Sequence, residues 1–315
     1  MGPLPPFPPV AVTAELAFYS GFWINLHHVL YAEAWARRNV PDKQRKAGAF
    51  PTPLTARLTA DEHAAWDAAV KYYDEHYADH ELLFDDDMRI IHRALSDTPD
   101  GMPATGMPSG LPEILERAAP VYRAHWWPAH DRANRAWIAD TQPRVAQLAN
   151  AVTPWLARRY GTPWFTDRVH VDVVYVSSRQ GGYTMLDPTL ITIGSTDADN
   201  QGWTAVETVY HEASHGLVKP VCEAFERAEA AAHLEEMPEL CHVALFYLTG
   251  EVVRQSLAAR GITYVPYLES TGLFDRAWPK LRAPIERAWA PYVNGEASLD
   301  DAVEHVVAAV TSGPP

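Results

Sequence analysis

Through the first half of the chain, apolar side chains return at helical spacing, and at Gly161-Thr-Pro that period stops. Leu16, Phe18, Phe22, Trp23, Leu26, Leu30 and Trp35 recur at helical spacing, and the run closes on Arg37 and Arg38 before Pro41. Thr59-Ala-Asp-Glu has the form of a capping box and predicts a second helix through Trp66, Val70, Tyr73 and Tyr77. Four prolines and three glycines between Asp97 and Pro112 predict a loop, and Pro120, Pro128, Pro143 and Pro154 punctuate a further helical region. Beyond Gly161 the residues turn β-branched. Val169–Val176 and Pro188–Gly194 predict two strands, with a turn at Arg179–Tyr183 between them. Helices follow from near Trp203, from about Pro238 to Arg260 with Gly261 as the stop, and after Ser298, whose Ser-Leu-Asp-Asp again suits a cap. A helical half followed by strand, strand, helix and helix predicts an α+β fold, mainly α. The expected divisions are a Pro-rich extended leader over 1–12, a helical region over 13–160, and a region over 161–315 that pairs a small sheet with helices.

Charge removes one class of function. The 315 residues hold 40 acidic against 26 basic side chains, a net charge of -14, whereas gripping a phosphate backbone needs clustered Lys and Arg. No nucleic-acid partner is expected. No apolar run approaches the roughly 20 residues of a membrane-spanning helix, so no membrane span is expected either. The N-terminus has no basic segment followed by an apolar one, which gives no signal peptide and a cytoplasmic default, with export open for a trimmed chain. Cys222 and Cys241 are too few for a disulfide scaffold or a four-thiolate zinc site; two separate buried thiols are expected of them, with pairing in an oxidising compartment as the alternative.

The segment with chemical content is Thr208-Val-Tyr-His-Glu-Ala-Ser-His-Gly. His211 and His215 are four residues apart, so on a helix their imidazoles stand one above the other and can grip one cation. Glu212, between them, can take a proton from a water on that ion. Trp203, Val206, Tyr210, Ala213 and Leu217 would fall on one side of this helix, and Thr204, Thr208, His211 and His215 on another.

A strand followed by a helix bearing His-Glu-x-x-His resembles the zincin metallopeptidases. From Trp203 onward the chain also resembles bacterial proteins of unassigned substrate that carry Tyr-His-Glu-Ala-Ser-His followed by Phe-Tyr-x-x-Gly-Glu-Val-Val-Arg. The zincin resemblance implies that Thr189–Ser195 is an edge strand lining a cleft, where a peptide pairs with it by β-augmentation. It also implies a bound Zn²⁺ and a third protein ligand. Val218 and Val221 stand where a metzincin has Gly and His, and no cysteine precedes Cys222 as a peptide deformylase would need. The gluzincin pattern, with a glutamate on a later helix, is then the expected one. Glu251, in Phe246-Tyr-Leu-Thr-Gly-Glu-Val-Val-Arg, is favoured as that ligand because a carboxylate among apolar neighbours needs a partner. Glu235 and His242 compete with it, and pairing with Arg254 is the plain alternative for Glu251. His242 and Glu251 sit nine residues apart on one helix, on opposite faces and about 13 Å apart along the axis, so only one can reach the ion.

Weaker signals surround this motif. His27 and His28 could line a cleft or be satisfied core histidines. Tyr264 and Tyr267 could offer a phenol to an oxyanion or simply pack around Pro266. Asp85-Asp-Asp is expected as a solvated turn. The expectation is a zinc hydrolase of gluzincin type, with His211, His215 and Glu251 as ligands and Glu212 as base, acting on a peptide or small amide. A non-peptide amide or ester substrate, and a zincin-fold binding protein without turnover, are the rivals. The sequence leaves the oligomeric state open.

Overall fold

The computed structural model describes residues 5, 7–39, 57–103, 105–177 and 181–311. The start of the leader, Pro41 and the first part of the Arg179–Tyr183 turn lie outside them. The described chain is mainly helical with one five-stranded sheet, as the sequence predicts. It divides into two compact units, and the division follows neither the 13–160 nor the 161–315 boundary. Unit 1 comprises residues 1–142 and 168–201, and unit 2 comprises 143–167 and 202–315.

Unit 1 contains the whole sheet. The reason is β2 (Leu16–Tyr19), which the helical reading missed: it pairs in parallel with β3 (Val169–Val174), Leu16 opposite Val169. The short β1 (Ala11–Val12) flanks β2. On the other side of β3 come β5 (Leu190–Gly194) and then β4 (Gly182–Met185), giving the order β1-β2-β3-β5-β4. This overturns the edge-strand expectation for 189–195. β5 is bonded on one side to β3 and on the other to β4, so its backbone offers no free N–H and C=O row to a peptide.

The helices of this unit are α1 (Phe22–Asn39), α2 (Ala60–His76), α3 (Asp86–Ser96), α4 (Leu111–His125) and the first part of α5 (Trp127–Tyr160). α1 starts only after Gly21 and ends on the predicted Arg37 and Arg38. Thr59 and Glu62 form the full capping box of α2. Asp85 is not a bare turn residue. Its carboxylate accepts from Met88 N and caps α3. α5 runs straight through Pro143 and Pro154 instead of stopping, and the boundary between the units falls at Pro143.

Unit 2 is built on α6 (Gly202–Ser214), α7 (Lys219–Ala231), α8 (Pro238–Ala258) and α9 (Leu299–Thr311), with short helical turns at Tyr267–Ser270 and Leu273–Ala277. Gly261, in the left-handed region at φ +73°, follows three residues after the end of α8, and Ser298 caps α9 through Asp301 N. Cys222 on α7 and Cys241 on α8 are joined in a disulfide, which corrects the expectation of two separate thiols. α7 and α8 bring the two Cα atoms to 5.1 Å, well inside disulfide reach. No helix among the described residues is long and apolar enough to cross a membrane.

Candidate metal centre

α6 is buried on every side. Val206, Tyr210 and Ala213 enter the core as the periodicity predicts, with Tyr210 Oη donating to the Val145 carbonyl. The opposite stripe, Thr208, His211 and Glu212, is buried too, because α8 packs against it. The packing has a clear register. Glu207 and His211 lie one turn apart along α6, with His215 one residue past its end, and Gly250, Phe246 and His242 lie one turn apart along α8. A Cβ on Gly250 would stand 2.9 Å from Glu207 Oε1. The Phe246 ring stacks on His211 with centroids 3.6 Å apart, and the His242 ring lies 5.3 Å from His215. The two helices therefore run antiparallel, stripe against stripe.

This register brings His242, and not Glu251, to the two histidines. Among the described residues, the group able to hold an ion is His211, His215 and His242, whose ligand nitrogens all lie within 4.8 Å of one another. Nε2 of His211 and Nε2 of His215 face each other at 3.3 Å. Two nitrogens bonded at about 2.05 Å to a tetrahedral zinc ion stand about 3.3 Å apart, so the pair already has the spacing of two ligands. Glu251, the ligand expected from the gluzincin resemblance, is not in the group. One residue beyond Gly250, it is turned away from the stripe and makes a bidentate pair with Arg254, at 2.8 and 2.7 Å. Glu235 is exposed in the stretch before α8 and is not in the group either.

The donor set suits a borderline cation. Burial, then His215 and His242, holds the His211 imidazole well below its usual range. Burial and His242 push His215 down to about 3, and burial lowers His242. All three rings are therefore neutral near pH 7 and present lone pairs, the form that imidazole-binding metals take. His211 Nδ1 is buried with no hydrogen-bond partner. The Phe246 face holds this ring where many metal-bound histidines have a carboxylate or carbonyl behind them. Glu212 is buried beside the stripe, one residue after His211 and three before His215.

Glu207, which the sequence reading did not single out, closes the far end of the stripe. Its buried carboxylate accepts from Tyr264 Oη at 2.6 Å and from Tyr267 N at 3.1 and 3.0 Å. Burial pushes its carboxyl up to about 7, against the lowering effect of those two donors. The Tyr264 hydroxyl is thus committed to Glu207, not to an oxyanion. Tyr267 lies with its ring along Phe246, centroids 5.9 Å apart. A sequence signal for Glu207 existed: an acid four residues before His211, on the stripe already singled out for metal.

His27 and His28 belong to unit 1 and are core residues. His27 Nδ1 meets Tyr73 Oη at 2.8 Å. His28 Nδ1–H donates to the Ile24 carbonyl, so its Nε2 accepts from Tyr183 Oη at 2.8 Å. Tyr183 in turn accepts from His92 Nδ1, also at 2.8 Å. Below them Asp172, fully buried on β3, accepts from Ser96 Oγ at 2.5 Å and pairs with His170 at 2.8 Å. Burial opposes its charge, but His170 and His92 hold the carboxyl far below the usual range. Comparison with family models, with curated proteins and with solved structures returns no match for this chain.

Proposed function

We propose that His211, His215 and His242 hold a zinc ion and that the chain is a metal-dependent hydrolase with Glu212 as its base. The observation that carries this reading is the pair of facing Nε2 atoms at 3.3 Å on a His-Glu-x-x-His helix, with His242 closing the group. Three imidazoles leave one position of a tetrahedral ion for solvent or substrate. Such an ion, when bound, acidifies a water and polarises a carbonyl. Glu212 takes the proton and hands it to the leaving group, and its burial beside the ligands keeps bulk water from competing for it. An amide or ester is the substrate class. With β5 inside the sheet, strand pairing no longer singles out a peptide. The Cys222–Cys241 disulfide favours an oxidising compartment.

Elemental analysis of chain prepared without chelator should give one zinc per chain, lost in the His211→Ala, His215→Ala double variant. Glu212→Gln should retain that zinc and lose hydrolysis of an amide or ester panel, because the amide cannot accept the proton. Zinc bound equally by the double variant would sink the site. Full turnover by Glu212→Gln would sink the mechanism, and zinc binding without any turnover would leave a binding protein.

A further inference from the structure

The three histidines are flanked by aromatic rings. Phe246 stacks on His211, and its centroid is 5.0 Å from that of His242. Trp278 meets His242 edge-on at 5.7 Å and Phe246 at 5.9 Å. Tyr267 extends the wall at 5.9 Å from Phe246. Phe246, Tyr267 and Trp278 are all partly exposed, as are His215 and His242, whereas His211 and Glu212 are buried. The exposed parts of the histidine group thus lie on the same flank as the aromatic rings.

We propose, resting on the metal reading above, that the substrate of this centre carries an uncharged aromatic group beside the bond to be broken, seated on Phe246, Trp278 and Tyr267. The exposed parts of these rings are apolar surface against which an incoming ring packs, offset or edge-on. A carboxylate would be drawn to the dication itself instead of being seated on ring faces that carry negative charge density. A quaternary ammonium, the other usual guest of aromatic walls, would stand a few ångströms from a dication held by neutral ligands and be repelled.

The test uses the zinc-loaded full chain and four hydroxamates, which share one metal-binding group and differ in what they carry beside it. Calorimetric titration should give 3-phenylpropionohydroxamate at least about tenfold tighter binding than acetohydroxamate, as one added aromatic contact with its buried area supplies. Succinic monohydroxamate and a trimethylammonium analogue should bind no tighter than acetohydroxamate. Trp278→Ala and, separately, Phe246→Leu should lower the phenyl-to-acetyl ratio. Equal affinities for the phenyl and acetyl compounds, a charged analogue binding tightest, or a ratio unmoved in both variants overturns the aromatic seat and leaves the metal centre standing. No binding of any hydroxamate by fully zinc-loaded chain overturns the open metal position, and the seat with it.

Discussion

A Cβ on residue 250 would come within 2.9 Å of Glu207 Oε1 and 3.0 Å of Pro266 Cβ. Neither neighbour can give way cheaply, since Glu207 is fixed by Tyr264 and Tyr267 and Pro266 is a ring. Gly250→Ala should therefore push α8 off α6, destabilising the chain by about 1–3 kcal/mol as overpacking does. It should also weaken zinc binding, because His242 rides on the same stripe. Chemical denaturation together with chelator competition measures both effects, and an unchanged zinc affinity would refute the register. The ligand assignment is tested one residue along. On the proposed three-histidine site, His242→Ala should lower zinc affinity by more than the 10- to 100-fold typical of supporting residues. Glu251→Ala only releases Arg254 and should leave the affinity unchanged. The reverse pattern in chelator competition would restore the glutamate.

At the level of elements, α8 is held from both ends of its functional stripe. Its first turns are tied to α7 by Cys222–Cys241, directly beside His242, and Gly250 meets α6 near the other end. The bridge closes a loop with a sequence separation of 19, which on chain-entropy grounds stabilises the fold by about 3 kcal/mol. The Cys222→Ser, Cys241→Ser double variant should lose about that much in urea unfolding. A loss below about 0.5 kcal/mol would mean that α7 and α8 are positioned by packing alone. Two of the three aromatic wall residues, Tyr267 and Trp278, come from the segment after α8, and Glu207 pins that segment through the Tyr267 amide.

Over the whole molecule, buried and half-buried neutral histidines dominate the response to acid. His27, His28 and His130 in unit 1, and His211, His215 and His242 in unit 2, all have lowered pKa values, with burial as the main cause. An unfolded chain protonates each near pH 6.5 and the folded chain does not, so stability is present above that pH and falls as pH drops below it. Each ring contributes up to about 1.4 kcal/mol per pH unit. Glu207 acts in the opposite sense. Its carboxyl is raised from 4.5 to about 7, so the stability it adds at low pH is lost as pH rises across that window. The histidines outnumber it, and the thermal midpoint should fall from pH 7 to pH 5. Glu207→Gln removes the opposing contribution and should steepen that fall. A midpoint flat across this range, or a shallower slope in the variant, would contradict the account.

The sequence by itself determined what local chemistry and spacing control. Helical periodicity and the Thr59 and Ser298 caps placed most of the helices, and His211, Glu212 and His215 were legible because one turn of one helix sets their geometry. The α+β class followed from the change of period at Gly161. What only the tertiary structure decided depends on pairing between distant segments. β2 is a strand because Leu16–Tyr19 finds β3 some 150 residues later, which also covers β3 and moves the sheet into the N-terminal unit. β4 caps β5 and removes the supposed edge. Whether His242 or Glu251 meets the histidines turns on the antiparallel register of α6 and α8, and that register is fixed by the missing side chain of Gly250 against the buried carboxylate of Glu207.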